Sequence, residues 1–146
     1  MTGKRHNPQF GKLLVGFDGS KESEKALDAA FSLAKSMDSS VFILSVARPP
    51  EPATSVEVQA VLDNAKEQFE ENFNRIREKA SEYNIDLQTA TAVGHPAEQI
   101  IRRAQEDGVD LIILGRRGRS MLSRIMLGSV SERTLRYAHC PVMVVH

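Results

Sequence analysis

Short runs of aliphatic residues alternate along this chain with longer stretches whose apolar positions recur every three or four residues. Leu13-Leu14-Val15-Gly16-Phe17, Val41-Phe42-Ile43-Leu44-Ser45-Val46 and residues 109–114 read as buried strands, rich in branched aliphatics. Residues 87–93 alternate as a strand does, and residues 141–145 form a final one. Between them, Ala26, Ala30, Leu33 and Met37 line one face of a helix that Asp18 or Ser20 can cap. Pro49-Pro50-Glu51-Pro52 then breaks regular structure. The longest helical pattern runs from 56 to 83, through Val58, Val61, Leu62, Ala65, Phe69, Phe73, Ile76 and Ala80. Pro96 opens another helix, with Ala97, Ile100, Ile101 and Ala104 inward and Gly108 as its stop. A last helix is predicted over residues 129–138.

The order βαβαβαβαβ, with no internal repeat and no linker, implies a single α/β domain over residues 1–146: a mostly parallel sheet with helices on both faces. Ligands of such sheets sit beyond the carboxyl ends of the strands, where strand order reverses. If the first and fourth strands are central neighbours, that crevice lies between Asp18 and Gly115.

Lys+Arg and Asp+Glu are both 19, which argues against a nucleic-acid binder. The balance is global but not local. Residues 51–84 carry eight acidic and four basic residues, whereas residues 115–136 carry six Arg and one Glu. A basic cluster among glycines suits a small anion. Cys140 is the only cysteine, so no intrachain disulfide forms. The polar first eleven residues and short aliphatic runs predict a cytoplasmic protein without membrane segments. His6, His95, His139 and His146 lack metal-ligand spacing, and no zinc set exists. His139 and Cys140, adjacent before a strand, should diverge rather than pair for catalysis.

The chemistry concentrates in Gly115-Arg116-Arg117-Gly118, nine intervening residues, and Gly128-Ser129-Val130-Ser131. Glycine at a strand end lets the backbone turn and approach a ligand closely. Gly128 and Ser129 fall at the start of a helix, whose first N–H groups attract an anion; Ser129 and Ser131 add hydroxyls. No Walker A loop is present, and no Gly-x-Gly-x-x-Gly follows the first strand. The stretch from Asp18 to Ser23 lacks the paired glycines of an adenylating synthetase loop. The apolar residues Met121, Leu122, Ile125, Met126 and Leu127 between the two glycine pairs read as packing against the sheet edge or a partner subunit.

With Asp-x-Ser at Asp18 and Ser20, Gly-x-Pro-Ala-Glu-x-Ile from Gly94 to Ile100, and a terminal Pro-Val-x-Val-Val, these motifs resemble the nucleotide-binding branch of the universal stress proteins. The likeness covers residues 11–145. It implies a Rossmann-like three-layer sandwich of the adenine nucleotide α-hydrolase type, its five parallel strands ordered 3-2-1-4-5. It implies ATP or another adenine nucleotide, with adenine near Asp18 and Val46. Ribose and phosphates would then lie over the loop. The residues carried over are Gly16, Asp18, Val46, Gly115, Arg117, Gly118, Gly128, Ser129, Val130 and Ser131. Asp18 is a candidate ligand for a Mg2+ brought by the nucleotide; no catalytic residue is assigned. A homodimer through Val142–Val145 is expected, since an apolar edge strand invites pairing with a second copy. The implied function is a nucleotide-dependent regulatory protein in a stress response. The alternatives are a slow ATPase or autophosphorylating enzyme, and an interaction protein of the same fold that binds no nucleotide.

Overall fold

A computed structural model of the chain describes residues 10–116 and 127–146. Its elements in order are β1 (Lys12–Gly16), α1 (Lys21–Met37), β2 (Ser40–Ala47), α2 (Ser55–Glu82) and β3 (Leu87–Val93). Then follow α3 (Pro96–Glu106), β4 (Leu111–Gly115), α4 (Ser129–Tyr137) and β5 (Val142–Val145). The strands form one parallel sheet in the order β3-β2-β1-β4-β5, the order implied by the resemblance. Val15 lies between Ile43 and Ile113, so β1 and β4 are the central neighbours that the crevice argument requires.

Strand alternation divides the core into two layers. Leu13 and Val15 of β1, Val41 and Ile43 of β2, and Leu111 and Ile113 of β4 face α1 and α2. That layer holds fifteen buried apolar residues, including Leu27, Phe31, Phe73 and Ile76 from the helices. Leu14, Leu44, Ile112 and Leu114 face the other way, toward Ile100 and Ala104 of α3 and the half-buried Val130 of α4. Among the described residues the second layer has seven buried apolar residues, with half-buried ones around them. Its thinness leaves room for a cavity.

Ion pairs of Glu24 with Arg75 and Asp28 with Lys79 clip α1 to α2. The predicted apolar stripe of α2 is buried only from Ala65 onward. Ahead of it, Val58, Val61 and Leu62 stay half-exposed and Val56 is 77% exposed, so the leading turns overhang the sheet.

The helix starts differ between the layers. Of the two candidate caps for α1, the structure uses Ser20, whose Oγ accepts the Ser23 N–H at 3.1 Å. Asp18 instead braces the cap, its Oδ1 accepting the Ser20 N–H at 3.0 Å. Thr54 and Glu57 close a reciprocal capping box on α2. Neither His95 before α3 nor Gly128 before α4 makes a side-chain cap.

Candidate functional site

At the carboxyl ends of β1, β2 and β4 lies a cavity of about 260 Å³. Seven residues singled out from the sequence line it together: Gly16, Asp18, Val46, Gly115, Gly128, Val130 and Ser131. Ser129 lines an adjoining cavity of about 220 Å³ on the other side of Val130. Arg117 and Gly118, with Met121, Leu122, Ile125 and Met126, lie outside the described residues. Two chain turns that are about a hundred residues apart, one after β1 and one after β4, therefore share one concavity.

Its floor is apolar. Leu44 and Val46 project from β2, Leu114 from β4 and Ile100 from α3. A planar aromatic group buried there would lose water from both faces at a gain of about 25 cal/mol per Å². The opposite wall is the start of α4. Gly128 supplies no side-chain cap, and the first intrahelical bond there runs from the Glu132 N–H to the Gly128 carbonyl at 2.9 Å. The N–H groups of Ser129, Val130 and Ser131 precede that bond, at the positive end of the helix dipole, and present an anion with donors. Asp18 is the acidic residue of the wall.

Both strand-end glycines owe their place to packing. A Cβ on Gly115 would stand 2.1 Å from the Glu22 carbonyl oxygen, because the first turn of α1 presses on the end of β4. On Gly16 it would meet Leu114 Cδ2 at 2.7 Å and Ile100 Cδ1 at 2.9 Å. Glycine at 115 is thus required by the protein's own backbone, while its main chain also lines the cavity. Ser131 is buried, and its hydroxyl donates to the Gly115 carbonyl at 3.3 Å, tying α4 to the strand end. Thr134, fully buried one turn later, donates to the Val130 carbonyl at 2.7 Å.

Sequence reading missed Arg48, which lines both cavities. Strand periodicity would have found it, two positions past Val46 and on the same face. Pro96 and Ile100 were read as a helix start, a core position and part of the Gly-x-Pro-Ala-Glu-x-Ile motif, not as site residues, yet both line the cavity.

A larger depression, about 780 Å³, opens at the amino ends of the strands among Lys12, Asp38, Asp86 and Asp110. Helices end there, and their negative dipole ends disfavour an anion. Cys140 lies near this end, half-buried; burial foremost, then the Asp110 charge, raises its thiol pKa above the ordinary value, against a backbone hydrogen bond at Ile112. Among the described residues, no group of three His, Cys, Asp or Glu side chains is placed to hold a metal ion, and no helix is long and apolar enough to cross a membrane.

The parallel order 3-2-1-4-5, with a cavity at the carboxyl ends of the strands where β1 and β4 meet, defines an open α/β protein with helices on both faces of its sheet. The universal stress protein family model matches residues 9–146, and the chain belongs to that family. It is 38% identical to universal stress protein YxiE of Bacillus subtilis, over 93% of this chain and 99% of that protein. Its fold superposes on a universal stress protein solved in complex with cAMP (TM-score 0.74, 22% identity, 94% of this chain and 98% of that one). It also superposes on an Arabidopsis thaliana family member solved with AMP bound (TM-score 0.69, 18% identity, 92% and 90%).

Proposed function

We propose that the chain binds ATP or a related adenine nucleotide in the cavity between β1 and β4, and acts through it as a regulatory, non-enzymatic stress protein of the cytoplasm. The observation that carries this reading is the pairing of an apolar slot, floored by Leu44 and Val46, with the uncapped start of α4. The slot matches a purine and the helix start matches phosphate. The relatives with AMP and cAMP bound carry ligands of that chemistry. In this reading the purine lies near Asp18 and Val46, and the phosphates meet Gly115, Gly128, Ser129, Val130 and Ser131, with Arg117 and Gly118 completing the loop. A Mg2+ brought by the phosphates would keep several of its waters, and Asp18 is the residue that would offer it a carboxylate.

Calorimetric titration with AMP and ATP, with and without Mg2+, tests the assignment. Saturable one-to-one binding is expected, and its absence for both nucleotides would sink the reading.

The same reading includes a homodimer joined through β5. Pro141 and Val145 carbonyls accept the Ile112 and Arg116 N–H groups, so the alternate residues Val142 and Val144 turn their N–H groups to the open edge. An edge of this kind pairs readily with a second copy. Val144→Pro removes an outward donor while sparing the bonds to β4, and light scattering should then report a monomer where the parent chain reports a dimer.

A further inference from the structure

The charges around the two joined cavities are unevenly matched. In the smaller one Arg133 is paired with Glu98 at 3.1 Å, and His95 faces Glu51 at 3.0 Å. Arg48 lines both cavities and has no carboxylate within ion-pair distance among the described residues. Its position follows from strand geometry. Leu44, Val46 and Arg48 alternate onto one face, so an apolar floor ends in a guanidinium at its mouth. Across that mouth stand Ser129 and Val130, the first residues of α4. A solvated arginine with nothing to hold is ordinary on a surface. Here it stands where two cavities meet, opposite a helix start.

We propose that Arg48 is a specificity residue that reads the phosphate of the bound nucleotide. The inference rests on the nucleotide assignment above and adds to it the basis for preferring a nucleotide over its nucleoside. With the purine over Leu44 and Val46, a 5′-phosphate has the α4 N–H groups on one side and the Arg48 guanidinium on the other. The planar guanidinium donates two parallel hydrogen bonds to phosphate oxygens, a geometry that lysine lacks. Adenosine, without phosphate, fills the same slot and leaves Arg48 in water.

The test compares adenosine, AMP and ATP by calorimetry on the parent chain, Arg48→Ala and Arg48→Lys. A hydrogen-bonded ion contact of this kind sets the expectation of a roughly ten- to hundredfold loss of AMP and ATP affinity in Arg48→Ala, with adenosine unchanged. Arg48→Lys should recover part of the loss, because charge returns without the planar fork. The side chain is exposed, so all three proteins should melt together. Equal weakening of adenosine and AMP would show that Arg48 stacks on the base, and would overturn the proposal. Unchanged AMP binding in Arg48→Ala would overturn it while leaving the nucleotide assignment standing. Failure of the parent chain to bind AMP or ATP would remove both.

Discussion

The two layers of this protein treat the same structural problem in opposite ways. On one face, α1 and α2 begin with side-chain caps, Ser20 accepting from the Ser23 N–H and Thr54 from the Glu57 N–H. On the other, α3 and α4 begin at His95 and Gly128 with no side-chain cap. Among the described residues the capped layer is also the thicker one, with fifteen buried apolar residues against seven. The strand-end glycines repeat the contrast. Gly115 abuts the main chain of α1, which cannot yield, whereas Gly16 abuts the tips of Leu114 and Ile100, which can. One layer is closed for stability; the other leaves donors and space for something else. In the proposed reading, function lies in what the second layer leaves unsatisfied.

That contrast can be broken in three places. The largest effect should come from Gly115→Val, which forces side-chain atoms into the Glu22 carbonyl. Overpacking usually costs about 1–3 kcal/mol, and an immovable backbone puts this site at or above the upper end. Urea denaturation should show the loss, or no folded protein at all, while Gly16→Ala should fold with a far smaller penalty. A Gly115→Val protein of parental stability would mean that the closed layer is not closed.

Next in size, Gly128→Asp should change stability and binding in opposite directions. Its backbone, with φ −65° and ψ 160°, is the extended conformation of a normal cap residue. A carboxylate there accepts from one of the free α4 donors and complements the helix dipole, which together should raise stability by about 0.5–1 kcal/mol. The same charge repels phosphate, so AMP affinity should fall at least tenfold by calorimetry. A stabilised protein that still binds AMP normally would detach the helix start from the ligand.

The smallest effect belongs to Thr54→Ala, which opens the capping box on α2. Thermal unfolding should register a loss of about 1 kcal/mol with no change in nucleotide affinity. A change in affinity would show that the two layers are not independent.

The sheet was legible in the sequence because four of its strands are nearly continuous apolar runs, which have few other uses in a chain of this size, and β3 alternates. The position of the crevice followed from topology alone, given that β1 and β4 are neighbours. What the glycines do was less legible. A turn glycine and a packing glycine look the same in one dimension, and only the approach of Glu22 separates them at Gly115. Ser131 was read as a free hydroxyl, but folding gives it the Gly115 carbonyl as an acceptor. Arg48 escaped notice because it carries no motif. It stands between a strand and a proline run, and its meaning depends on Val130 and Ser129, which are eighty residues further on.

The overhang of α2 has a consequence for motion. A helix of 28 residues measures about 42 Å, whereas the seven residues of β3 beside it span about 23 Å. The turns ahead of Ala65 therefore have little sheet to lie on. They can unwind and rewind without disturbing Phe73 or Ile76. Their amide hydrogens should trade with heavy water long before those at the far end of the same helix, giving one continuous rod a loose end and an anchored one.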